Sequence, residues 1–316
     1  MLAPVAALRR QRRQPATRAT RHRDRVRASE QIAGWSFVTP GVVIIMLFGI
    51  VPIVWSAVMS FQQNNLLTGN TPFVGVSNYR QMVHDPIVAQ AISNTLVYTA
   101  LFVPGTMLVG LFLAVAMNRQ IRFISVYRTA AYATMAISTI SEALVFIWLF
   151  DPSYGIVNYL FSLVGIGQQP FLNSTSEALY VIIIMTIWGW TGFAVVIYLA
   201  ALQGIPKTLL EAAAIDGAGR WATFRRVTLP LLSPASLFLL VWLTINALQL
   251  FDEVYLSTAG GPLNSTSVLV YYLYEQAFTN FNFGYASAIA YFLFVVIIIV
   301  TAVQFWGGRR FVHYRS

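Results

Sequence analysis

Residues 211–232 read EAAAIDGAGRWATFRRVTLPLL. They are the least apolar long stretch in the second half of a very apolar chain, and runs long enough to cross a bilayer flank them. The segment opens on a carboxylate, turns at Asp216-Gly217, gathers Arg220, Arg225 and Arg226 around Trp221, and closes at Pro230. Local chemistry predicts two short helices and a turn. Pro206 suits the first position of a helix, where its missing N–H costs nothing. Leu209, Leu210, Ala212, Ala213 and Ala214 are good helix formers or small packers. Gly217 takes the left-handed cap that ends the first helix. Residues 219–228 form the second, with Trp221, Phe224 and Thr228 on one face and Arg225 beside it. The product is a knob with an aromatic tip, a basic flank and Glu211 at its base. A helix pair lying on lipid headgroups is the competing reading, but the small alanines and the glycine hinge suit packing against protein better.

The rest of the chain shows what the knob is attached to. Of 316 residues, 57% are hydrophobic and 10% charged, against about 25% charged in a soluble domain. With a mean hydropathy of +0.66, the chain reads as an integral membrane protein. Apolar windows give six spans, near 36–60, 91–118, 128–150, 178–203, 231–252 and 284–306. All are expected to be helices, because an open sheet cannot satisfy its backbone in lipid. Pro40, Pro52 and Pro104 are expected to kink or cap them. There is no cysteine, so disulfides and thiolate metal sites are excluded.

The net charge of +9 is concentrated in an Arg-rich tail: nine of the twenty Lys+Arg lie in residues 1–30. It reads as a solvated topogenic tail, with contact to anionic membrane lipid as the second reading. No folded basic domain presents the charge, so nucleic acid is not an expected partner. The remaining domain runs from 31 to 316, with the knob in a loop at 204–230. Counting the tail and the loops after spans 2, 4 and 6 against the other side splits the basic residues 19 to 1. The positive-inside rule then places both termini and the knob in the cytoplasm. Loops 61–90, 151–177 and 253–283 face outward, and the second is apolar enough to form a short amphipathic helix capping the bundle.

Polar residues inside spans are expensive and ask for a role. In span 5, Trp242, Asn246, Gln249 and Glu253 recur at helical spacing with Asp252 adjacent, one polar-aromatic stripe. The amides can both donate to and accept from sugar hydroxyls; the alternative is interhelical bonding worth about 0.6 kcal/mol each. Asp252 and Glu253 are expected to be solvated at the outer end. In span 3, Thr134, Ser138 and Glu142 are expected to share a face that lines a pathway or pairs with a neighbour. In span 4, Trp188 and Thr191 share a face, Trp188 as a sugar platform or as packing, while Gly189 and Gly192 admit a close helix. The spans carry no basic residue away from their ends, which favours an uncharged solute over an anionic one unless a partner supplies positive charge.

The 211–232 segment resembles the EAA motif of permease subunits of bacterial ATP-binding-cassette importers: Glu211-Ala212-Ala213, then Gly217, then Leu229-Pro230. LQGIP (202–206), IDGAG (215–219), FDEVYLSTAGGPLNST (251–266), FGYASAIA (283–290) and WLFDPSYGIVN (148–158) resemble the carbohydrate-uptake branch, that of maltose and glycerol-phosphate permeases. The likeness runs from about residue 36 to the end. It implies an all-α integral membrane protein, a six-helix permease bundle with a cytoplasmic coupling helix. Glu211, Ala212, Ala213, Asp216, Gly217, Trp221, Phe224 and Arg225 would seat on a separate ATPase. The branch places its solute contacts in the middle spans, which hold Ser138, Glu142, Trp188, Asn246, Gln249 and Asp252, although no motif carries single residues over. The implied partners are a second permease, in this branch usually of different sequence with an identical copy as the alternative, two ATPase subunits holding ATP and Mg, and an extracytoplasmic solute-binding protein at the inner membrane. The chain itself has no G-x-x-x-x-G-K-[ST] loop, since the nearest string, AGGPLNSTS, lacks the lysine. It is therefore expected to hydrolyse no ATP and to bind no cofactor or metal.

Two other classes are weaker. A membrane-embedded enzyme would use Asp252-Glu253 as an acid pair, but adjacent helical residues do not face each other, and His22, His84 and His313 lack metal-ligand spacing. An ion-driven secondary transporter predicts broken helices in two related halves, and no such breaks are read here.

Overall fold

A computed structural model describes residues 31, 34–63, 71–118 and 122–311. The Arg-rich tail lies outside the described residues. In chain order the helices are α1 (Gly34–Met59), the short α2 (Ser77–His84), the long α3 (Pro86–Met117), α4 (Ile124–Ala136), α5 (Thr139–Leu149), α6 (Ile156–Leu163) and α7 (Ala178–Gln203). The knob contributes α8 (Lys207–Ile215) and α9 (Arg220–Leu231), followed by α10 (Ser233–Leu248). Two short helices, α11 (Asp252–Ser257) and α12 (Leu269–Tyr274), lead to α13 (Phe283–Phe311). Among the described residues there is no strand, only one β-bridge between Gln62 and Phe73.

Four helices are long and apolar enough to cross a membrane alone, namely α1, α3, α7 and Phe283–Arg309 of α13. Two bent pairs qualify together, α4 with α5 at 102° and α9 with α10 at 61°. Counting each pair once gives up to six crossings, in the order the apolar windows predict. The windows did not reveal the bends, and the expectation of unbroken spans is corrected here.

The chain divides between Ser56 and Ala57 into two compact units. The described part of the first is most of α1, which keeps Pro40 and Pro52 inside one helix, with a π-helical turn at Met46–Ile50 just before Pro52. A π turn is one way for a helix to absorb the carbonyl that a proline leaves unpaired.

The second unit is the bundle. Its centre is the packing of α3 on α7, with α10 against α3 and α13. In lipid, helices associate through close packing rather than water exclusion, so small residues mark the crossing. Gly110 of α3 meets Ala194 of α7 with no room for a Cβ, and one added at Gly105 would lie 2.6 Å from the Ile187 side chain. Tyr98, Phe102, Ile182, Met185, Tyr198, Leu239 and Leu243 fill the interior around this contact. Leu108, Phe112, Phe294 and Ile298 point outward and are exposed, as lipid-facing positions should be.

The end of the bundle opposite the knob is tied by side chains. Asp85 caps α3 by accepting from the Ile87 amide at 2.9 Å, and Pro86 takes the first helical position. The other carboxylate oxygen accepts from the hydroxyls of Tyr272 and Tyr285, each at 2.7 Å. One carboxylate thus joins α3, α12 and α13. Burial alone would raise its pKa, but the bonds from Tyr285, Tyr272 and the backbone of Ile87 and Val88 outweigh it and hold Asp85 below the ordinary carboxylate range. Asn94 donates to the carbonyls of Ser267 (2.8 Å) and Asn264 (3.1 Å), and Thr95 accepts from the Leu269 amide at 3.1 Å. These bonds clamp the GGPLNST loop onto α3.

Candidate solute cavity and coupling knob

The bend between α4 and α5 places the first carboxylate. Ile137 and Ser138 adopt extended dihedrals, and the Ser138 hydroxyl caps α5 by accepting from the Ser141 amide. Glu142 therefore sits in the first turn of α5, where the helix dipole favours negative charge. Thr134, Ser138 and Glu142 do not share a helical face, because the helix stops between them. Ser138 is exposed, whereas Glu142 is only 7% exposed. Its carboxylate lies against α7 at Gly189, where a Cβ would sit 2.5 Å from each carboxylate oxygen. One turn on, Gly192 admits the Ala131 carbonyl and the Thr134 hydroxyl in the same way. The close approach expected of Gly189 and Gly192 is present, and it serves the broken span.

The second pair of carboxylates arrives by another break. The stripe expected from Trp242 to Glu253 is not one helix: α10 ends at Leu248, and Asp252 and Glu253 open α11, which packs on α5. Glu253 is thereby turned inward and half-buried, not solvated at an outer end, while Asp252 is exposed.

These elements enclose two adjoining cavities halfway along α7. One, of about 220 Å³, is walled by Glu142, Gly189, Trp190, Thr134, Thr139 and Glu253, among others. The other, of about 170 Å³, is walled by Asn246, Gln249, Asp252, Tyr98, Phe102 and Phe251, and shares Thr139, Trp190 and Glu253 with the first. Each exceeds the ~30 Å³ of a water molecule several-fold. Among the described residues no Lys, Arg or His lines either one. Of the candidates read from the sequence, Glu142, Asn246, Gln249 and Asp252 line these cavities, and Ser138 and Trp188 do not. Trp188 is 40% exposed and packs on Phe146 with ring centres 5.6 Å apart. Its neighbour Trp190 presents the aromatic wall. Trp242 packs on Phe238 and Phe193, and Thr191 returns its hydroxyl to the Ile187 carbonyl. Asn246 donates to the Trp242 carbonyl, which leaves its amide oxygen as an acceptor. Thr139, Trp190, Tyr98 and Phe102 were missed. A serine followed by a polar first turn is a helix-start signal that could have exposed the break at Ser138 and hence Thr139; Tyr98 and Phe102 sit in an apolar window that carries none.

The knob is close to its sequence reading. Pro206 stands one position earlier than expected, as the residue before α8. Gly217 has φ +75°, and the amides of Gly217 and Ala218 donate back to the carbonyls of Ala214 (3.1 Å) and Ala213 (2.9 Å), the Schellman pattern that closes a helix on glycine. α9 then runs through a π turn at Phe224–Thr228. Trp221 is 72% exposed and stacks on Phe224 at 5.8 Å. Glu211, Ala212, Asp216 and Arg225 are exposed as well, while Ala213 is buried.

A sequence profile for the family described as binding-protein-dependent transport system inner membrane component matches residues 106–313. The lactose transport system permease protein LacF of Rhizobium radiobacter is 34% identical over 301 residues, covering 92% of this chain and 99% of that protein. The sn-glycerol-3-phosphate transport system permease protein UgpA of Brucella abortus is 32% identical, covering 90% and 97%. In three dimensions the chain is similar to a bacterial ABC transporter involved in the import of the acidic polysaccharide alginate, with a TM-score of 0.82 at 24% identity, covering 92% of this chain and all of that one. That likeness speaks for the fold alone.

Proposed function

The chain belongs to the family of binding-protein-dependent transport system inner membrane components, and from that premise we propose how its two functional parts work together. It is a multi-pass permease subunit of an ABC importer. In our reading it forms half of a pathway for a sugar or glycerol-phosphate-type solute, with the cavities between α3, α5, α7 and α11 as the solute-facing part. A second permease supplies the other half, and an extracytoplasmic binding protein delivers the solute. Two ATPase subunits carry ATP and Mg at the cytoplasmic face. Both termini and the knob lie on that side, in keeping with the 19 to 1 split of basic residues.

The observation that carries this reading is the exposed knob. A tryptophan 72% exposed, stacked on a phenylalanine and flanked by Arg225, is an aromatic anchor of the kind that fills a partner's cleft. Glu211, Ala212 and Asp216 present the rest of the contact, and α8, with Ala213 buried, packs on α9 within the knob. Gly217 sets the angle between the two arms. Since α9 runs into α10, which packs on α3 and α13, a push on the knob reaches the wall of the cavity through helices. Alternating access follows if the ATPases draw together and part.

The test is to tag the chain, solubilise membranes gently, and identify what co-purifies. A nucleotide-binding subunit together with a second multi-span permease is the expected result. A chain that comes down alone and still moves a solute would overturn the ATP-coupled reading.

A further inference from the structure

Glu142 is the least explained polar group in the bundle. It is only 7% exposed, and among the described residues one of its carboxylate oxygens has no hydrogen-bond partner and the cavity it faces holds Glu253 and no basic residue. A buried carboxylate without a counter-charge is a standing cost to the fold, and here the chain makes room for it by keeping Gly189 bare. The unused acceptor needs a donor, and no described residue supplies one. Trp190 and Glu253 line its cavity, and the adjoining cavity adds the amides of Asn246 and Gln249 and the carboxylate of Asp252. Hydroxyl and ammonium groups satisfy that set. A phosphate or carboxylate group would add a like charge beside two or three others, in surroundings that screen it poorly.

We propose that Glu142 and Glu253 are specificity-determining residues that make this half of the pathway select against anions, so that the solute is an uncharged or amine-bearing polyhydroxy compound and not a phosphate ester or a sugar acid. This rests on the importer reading and narrows it. Glu142 accepts from the solute's donors deep in the cavity. Glu253, shared by both cavities, repels anions on the way in, with Asp252 beside it at the exposed edge. Trp190 offers an apolar ring face, and the amides supply donors and acceptors that a carboxylate pair cannot.

The absence of native cysteine permits a test that does not require the solute to be known. Thr139→Cys places the chain's single thiol in the wall shared by both cavities. The assembled complex is exposed in turn to a cationic and an anionic methanethiosulfonate, and modification of this chain is followed by its mass. After normalising to a small free thiol, the cationic reagent is expected to react on the order of tenfold faster, and that preference is expected to shrink toward unity in the Glu142→Gln, Glu253→Gln background. Gln249→Cys, exposed on the same wall, repeats the measurement should the first thiol disturb folding. Equal rates, an anionic preference, a ratio indifferent to the glutamine substitutions, or no reaction with either reagent at both positions would each overturn the proposal. Uptake separates the two levels of the argument. Complete importer that concentrates sn-glycerol 3-phosphate with ATP contradicts charge selection and leaves the importer reading standing. A cationic preference without any ATP-dependent uptake sinks the importer reading instead.

Discussion

Gly189 and Glu142 touch across α7 and α5 so closely that a Cβ on the glycine would lie 2.5 Å from both carboxylate oxygens. The clash is with the mobile end of the Glu142 side chain, which gives way into the cavity. The shift costs the fold little, but it moves a group that faces the pathway. Gly189→Ala should lower uptake by roughly tenfold with little loss of assembly. The coupling is checkable by a double-mutant cycle: in a Glu142→Ala background, where the alanine methyl meets no carboxylate, Gly189→Ala should have little further effect. Additive losses would mean that Gly189 matters for some other reason.

Gly110 and Ala194 make the corresponding contact in the core, between the two helices that carry most of the bundle's packing. Gly110→Ala should reduce the melting temperature of the purified protein, at a cost of about 1–3 kcal/mol. Ala194→Gly, added to it, should restore much of the loss by returning the missing space. A double variant no more stable than Gly110→Ala would show that the crossing is looser than described.

These two contacts also show what can be read from the sequence and what cannot. The crossings were legible because twenty apolar residues in lipid leave the backbone only one option. The knob was legible because proline, alanine and glycine act locally: Gly217 ends α8 by its own dihedral, whatever surrounds it. The start of α3 could have been read from Asp85-Pro86, a cap followed by a first-position proline, but an apolar window hides such signals. The break at Ser138 leaves a local trace, a capping serine that the continuing apolar pattern covers, whereas the break at Gln249 leaves none. At both places a periodic pattern continues in the sequence while the chain turns, so a face drawn through Thr134, Ser138 and Glu142 does not exist. The cavity is built from those turns, which is why Glu142 and Asn246 were found while Trp188 stood in for Trp190.

Asp85 offers a pH test of the far end of the bundle. Its folded pKa is depressed, so its contribution to stability is fully present above the ordinary carboxylate value of about 4 and is lost as pH falls through the lower folded value. Asp85→Asn replaces a charged acceptor of two tyrosine hydroxyls by a neutral amide and should cost about 2 kcal/mol near neutral pH. The gap between the melting temperatures of the two proteins should start to close near pH 4 and vanish only below the lower folded value. A constant gap down to the acid limit would show that the carboxylate is not what Tyr272 and Tyr285 hold.

Trp221 is the anchor of the proposed ATPase contact, and it stands free enough that its loss should leave the bundle intact. Trp221→Ala should weaken capture of the ATPase subunit by more than about tenfold, in the range of an interface hot spot, with an unchanged melting temperature for the isolated permease. Capture at wild-type strength would move the contact elsewhere on the knob.

The central claim is that the knob transmits work, and it is tested most directly by following ATP hydrolysis and solute uptake in the same proteoliposomes, with the co-purified assembly and a solute that its binding protein retains. Gly217 holds a φ of +75°, which proline cannot adopt, so Gly217→Pro should misalign the arms of the knob while the spans still insert. The account predicts that the variant assembly continues to hydrolyse ATP while uptake falls to the level of vesicles without ATP, and that Glu211→Lys behaves in the same direction. Uptake at the wild-type rate in either variant would contradict it.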